Sequence, residues 1–160
     1  MKDVSRSIRK RDSADKSNGI YDVKRVWDKI TENSLALKAY HRIIDQGVNV
    51  FLESNPLDFS MTMGQFDPIE YEVIIYESNN LNAEEVISTM IHESTHVDFR
   101  IKKGIKPNSK YEEYKAACRS FLYDQKRRPS FHERRQIWDD VYELYPNLRI
   151  DRVPFFLRTE

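Results

Sequence analysis

The sequence holds a single cysteine, Cys118, so no intrachain disulfide can form, and its apolar helical setting reads as that of a buried structural thiol. It also lacks charge of one sign: 26 Lys plus Arg balance 26 Asp plus Glu. A chain with no overall field gains little general attraction to nucleic acid or to an acidic membrane. Two basic clusters exist, Arg9-Lys10-Arg11 and Lys126-Arg127-Arg128, but neither is interleaved with the aromatics of a base-stacking surface. Both read as solvated surface, and no nucleic-acid partner is expected. Long apolar runs are missing too, so no membrane span is expected. The first twenty residues contain no apolar signal-peptide core. The expectation is a protein acting in a reducing cytoplasm, or exported without a cleavable N-terminal signal.

What is present suits one domain. A chain of 160 residues can bury a single core, and nine Tyr, eight Phe and two Trp supply large apolar areas for it. Residues 1–19 are rich in Ser, Asp, Lys and Arg and end in Asn18-Gly19, which predicts a mobile arm before a domain over 20–160. Apolar spacing predicts helices over 22–32 and 35–46, the second capped by Ser34 and ended by Gly47. A strand follows over 48–53. YEVIIY (71–76) is the clearest strand, pairing with 59–66 as a hairpin across Asp67-Pro68. Asn80 or Asn82 caps a helix running to about Lys103 and stopped by Gly104. Ser109 with Glu112, and Ser130 with Glu133, have the spacing of capping boxes, opening helices to about Gln125 and Tyr145. The apolar tail VPFFL should dock on the body. The predicted fold is α+β and mostly helical, with a small antiparallel sheet before the central helix.

The central helix carries His92-Glu93-Ser94-Thr95-His96, an HExxH motif. Histidines four apart lie on one helix face, one turn from each other, so both imidazoles can reach a single ion. Zinc accepts such ligands at about 2.0–2.1 Å and lowers the pKa of a bound water to about 7. Glu93 stands beside the first histidine, where it can take that water's proton; it reads as a base rather than a ligand. The bland alternative is a chance match on a solvated helix. Against it, the turns from Val86 to Ile91 are apolar, and two of only four histidines make the motif.

A third ligand is required, with one position left open. The pattern HExxHxxGxxH fails, because positions 99 and 102 hold Phe99 and Lys102. The next helix offers Glu112 and Glu113. Glu112 has a capping task, whereas Glu113 is followed by Ala116 and Ala117, whose small side chains would let the two helices approach; Glu113 is the favoured ligand. His132 and Asp98 are weaker candidates.

The segment VISTMIHESTHVDF followed by YEEYKAACRSF resembles the small gluzincin-type zincin domains, including those of bacterial polymorphic toxins and phage-related proteins. Those pair an HExxH helix with a later E-x-x-A element that supplies the third ligand, and Glu113-Tyr114-Lys115-Ala116 matches that element. The resemblance spans roughly residues 58–125. It implies a zinc metallopeptidase with His92, His96 and Glu113 as ligands and Glu93 as base. It also implies a protein or peptide substrate pairing with a strand beside the site, either YEVIIY or its partner near Met61–Met63. For a toxin or effector it implies a cognate inhibitor or immunity protein. A Tyr or His should stabilise the transition state; Tyr111, Tyr114, Tyr123 and His132 are candidates that the sequence does not rank. The competing reading is a non-catalytic interaction module with a structural or vestigial zinc site.

Overall fold

Two hydrophobic periodicities divide the chain, one of helices and one of a small sheet. The structure is a computed structural model and describes residues 8–11, 23–54 and 61–157. The elements run β1 (Ile8–Lys10), α1 (Val23–Glu32), α2 (Ser34–Ile44), β2 (Asn49–Glu53), β3 (Gly64–Asp67), β4 (Glu72–Tyr76), α3 (Ala83–Val97), α4 (Lys110–Gln125) and α5 (Phe131–Leu144). This is the α+β architecture expected. The cap of α2 is Asn33 rather than Ser34; its side chain accepts from the amides of Leu35 and Ala36. Asn82 caps α3 by accepting from Glu85 N.

The sheet differs from the expectation in its pairing. Its order is β1-β2-β4-β3; β1 and β4 both run parallel to β2, and only β3 is antiparallel to its neighbour. β4 is therefore an inner strand. Val73, Ile74, Ile75 and Tyr76 are all buried, which explains its unbroken apolar run. β2 alternates instead, sending Val50 and Leu52 into the core. The hairpin forms as predicted across Asp67-Pro68, but its first strand begins at Gly64, and Met61 and Met63 lie before it. The reading of 1–19 as an arm needs correction at Ile8–Lys10. Buried Ile8 pairs beside Val50, because β2 offers an open edge and an apolar place for it. The other residues of that arm, apart from Arg11, lie outside the described residues.

Helices α1, α2 and α3 share one core with the sheet. Val26, Ile30, Tyr40, Ile43, Val86, Ile87 and Met90 meet Val50, Leu52, Val73 and Ile75 there. Each such large side chain is worth about 1.5–3 kcal/mol in transfer from water. A second cluster joins α4, α5 and the tail. Tyr114, Trp138 and Val141 pack with Val153, Phe156 and Leu157, so the apolar tail does dock. α3 belongs to the first cluster and packs against α4 of the second. Its last turn widens into a π-helix over Asp98–Lys102, and the chain leaves it at Gly104, whose φ of 67° suits a residue without Cβ. Among the described residues no helix is long and apolar enough to cross a membrane.

Candidate metal centre

The HExxH turn is the floor of a cleft. Glu84 and Glu85 lie in the first turn of α3, favoured there by the helix dipole. From that start the helix buries its apolar residues against the core and presents His92, Glu93 and His96 on the remaining side. The two imidazoles stand 5.2 Å apart between ring centres. Donor atoms of His92, Glu93 and His96 all lie within 4.8 Å of one another. The middle of the motif is pinned from behind: Arg42 of α2 donates to Ser94 Oγ at 2.9 Å, and Arg119 of α4 donates to Thr95 Oγ1 at 3.2 Å.

Helix α4 crosses close by. Ala116 is fully buried there, as its small size permits. This brings Glu113 onto both rings: its Oε2 lies 3.1 Å from His92 Nε2 and its Oε1 lies 3.3 Å from His96 Nε2. Asn108, just before the helix, donates to Glu113 Oε1 at 2.9 Å and steadies that carboxylate. Burial works against ionisation of Glu113, but its contacts with His92 and His96 hold the carboxyl well below its ordinary range. Glu93 is displaced the other way: burial raises it, against the pull of His96 and His92. Two carboxyls in one site are thus pushed apart, Glu113 toward its ionised form and Glu93 toward its proton-carrying form.

Glu112 departs from the capping role read from the sequence. Ser109 Oγ does accept from Glu112 N, but the Glu112 side chain does not return to Ser109 N, which donates to Asn108 Oδ1 instead. Its carboxylate is wholly buried, with Oε1 2.6 Å from His96 Nδ1 and 3.4 Å from Arg100 Nε. A carboxylate behind a histidine fixes which ring nitrogen faces forward, here Nε2. Burial disfavours charge on His96, yet Glu112 and Glu113 outweigh it and raise the imidazole to about 10. The capping box at Ser130 and Glu133 forms in full, because no buried histidine competes for its glutamate.

The cleft has a volume of about 760 Å³. Met61, Met63 and Gly64 line one wall, Phe121, Ile137 and Tyr145 the other, and His92 and Glu93 lie between. Gly64 is where β3 touches α3: a Cβ there would come within 2.6 Å of Thr89 Cγ2 and 3.5 Å of Glu93 Cγ. Met63 O accepts from Tyr76 N, so alternation along the ladder turns the N–H and C=O of Gly64 and Phe66 away from β4. Among the described residues β3 has no neighbour on that side.

Tyr145 is the site residue that sequence reasoning missed. It stands just past α5, and no local pattern marks it. Burial together with the charges of Glu113 and Glu93 raises its hydroxyl to about 12. Buried Lys110 of α4 holds this corner by donating to the carbonyls of Tyr145 and Leu148. Of the four candidates named earlier, none lines the cleft. Tyr111 and Tyr114 belong to the second cluster, Tyr123 packs against the main core, and His132 is exposed on α5. Asp98 faces Arg119 and Lys103 instead.

No family model, curated protein or solved structure matches this chain. A functional reading therefore stands on the residues and their placement.

Proposed function

We propose that the chain is a zinc-dependent peptidase in which His92, His96 and Glu113 hold the metal and Glu93 is the catalytic base. One observation carries this reading. The Nε2 atoms of two histidines on one helix converge on a single carboxylate from the next helix, with Glu93 buried beside them at the floor of an open cleft. Two nitrogens and one carboxylate oxygen are a donor set that suits zinc and leaves a coordination position free. Zinc, when bound, supplies Lewis-acid polarisation of the substrate carbonyl and acidifies water.

The chain's own groups supply the rest. Glu93, held above the ordinary carboxyl range, takes a proton from the attacking water and delivers it to the leaving amide nitrogen. The Tyr145 hydroxyl, kept protonated, donates to the oxygen on which charge develops. The free edge of β3 at Gly64 and Phe66 pairs with an extended substrate, aligning its scissile bond above Glu93. Glu112 keeps the forward nitrogen of His96 aimed at the site.

The test is metal analysis and cleavage assays on the purified chain. The expected result is about one zinc per chain, lost in His92→Ala. Glu93→Gln should keep the zinc while cleavage of a peptide library falls by about 10²–10⁴-fold. A Glu93→Gln variant that cleaves like the parent would overturn the peptidase. With zinc present and no cleavage by the parent, the non-catalytic module with a structural site would take its place.

A further inference from the structure

On the face of α4 turned away from the metal centre lies a second cavity, of about 600 Å³. Among the described residues its lining contains five cationic side chains, Lys115, Arg119, Arg128, Arg134 and Arg152, and no acidic one. This is not a consequence of composition, since acids and bases are equal in number. Elsewhere several cations are matched: Arg11 with Glu53 and Glu72, Lys29 with Glu84, Arg127 with Glu133, and Arg149 with Asp151. Among the described residues of the cavity only Arg119 has a carboxylate partner, Asp98 at 3.4 Å. Arg134 donates to the Pro129 carbonyl and stacks 5.6 Å over Phe155, and Arg152 lies 4.9 Å over Tyr111. Among the described residues Lys115, Arg128 and Arg152 are in no ion pair.

Holding these charges together costs free energy. Lys115 shows it: burial and the like charges of Arg119, Lys103 and Arg152 lower its affinity for its proton. Such an arrangement is relieved by an anion. The guanidinium fork matches phosphate oxygens, and rings already stacked under Arg134 and Arg152 hold those side chains ready. The cavity has the size of small-molecule sites and is walled by α4, the α4–α5 turn, α5 and the tail. That shape suits a compact ligand rather than a continuous nucleic-acid strand.

We propose that this cavity binds a compact phosphate-bearing anion of two or more charges, held by Lys115, Arg128, Arg134 and Arg152. It is separate from the metal centre and does not depend on the peptidase reading.

Calorimetric titration of the full chain with tripolyphosphate, with ATP and with a glutamate-rich peptide tests the idea. Saturable binding of both phosphate compounds is expected. It should weaken by about tenfold or more in Arg128→Ala/Arg152→Ala, two exposed positions, and in Lys115→Met. Binding unchanged in His92→Ala separates the cavity from phosphate chelating a metal at the other site. ATP binding tighter than tripolyphosphate assigns the ligand to nucleotides; equal binding assigns it to the phosphate chain alone, and either supports the site. No phosphate binding at millimolar concentration, parent-like affinity in these variants, or preference for the acidic peptide would each overturn it.

Discussion

The two faces of helix α4 make opposite use of charge. One face sends Glu112 and Glu113 into a buried cluster where His92, His96 and Arg100 answer them. The other sends Lys115 and Arg119 toward Arg128, Arg134 and Arg152, where Asp98 is the one carboxylate among the described residues that answers. A net charge of zero conceals both. The first face is satisfied within the protein, apart from one Glu112 oxygen and Arg100 Nε, which have no hydrogen-bond partner. Its geometry is therefore fixed before any ligand arrives. The second is left in want of an anion.

Three experiments would break or sharpen this contrast. The largest effect is expected from Tyr145→Phe, which removes one hydroxyl from the acidic side. It should keep its zinc and its KM while kcat falls by about 10²–10³-fold. An unchanged kcat would leave Tyr145 a packing residue. Next comes a matched pair. Glu112→Gln should weaken zinc binding by about tenfold, read by competition with a chelator, and should lower the melting temperature. Lys115→Met, which relieves repulsion rather than breaking a pair, should leave zinc affinity unchanged and raise the melting temperature slightly. If both variants shift stability in the same direction, the two faces are not electrostatically opposed.

The smallest effect is on the stability of chelator-treated protein against pH. His96 is raised to about 10 from an ordinary 6.5, so its contribution is complete below about pH 6.5 and is lost as pH climbs toward 10. Glu113 is held below an ordinary 4.5, so its contribution is complete above that pH and fades as pH falls further. The cluster thus favours the folded chain most between about 4.5 and 6.5. Melting curves should show an alkaline decline that His96→Gln flattens. An equally steep decline in that variant would assign the alkaline loss to other groups.

Local signals located most of the helices and strands. Gly47 and Gly104, with φ of 76° and 67°, stand where helices were expected to stop, and Ser130 with Glu133 closes the box its spacing announced. They erred where another residue, adjacent or distant, made a better offer. Asn33 displaced Ser34 as a cap, Ile8 was drawn into the sheet, and Glu112 abandoned its cap for His96. The site divides in the same way. His92, Glu93 and His96 belong together because 3.6 residues per turn brings them together in any helix. Asn108 and Tyr145 have no such rule.

What the sequence determined by itself is what short-range geometry controls: the helix that carries the motif, the common side of its two histidines, and the glutamate next to them. Only the tertiary structure decided that Glu113 would lie against both rings, that Glu112 would stand behind one, that Tyr145 would reach over the cleft, and that five cations would gather on the far face of α4. Those placements join residues on different helices and loops. Close packing and the cost of burying charge set them, and neither leaves a period in the chain.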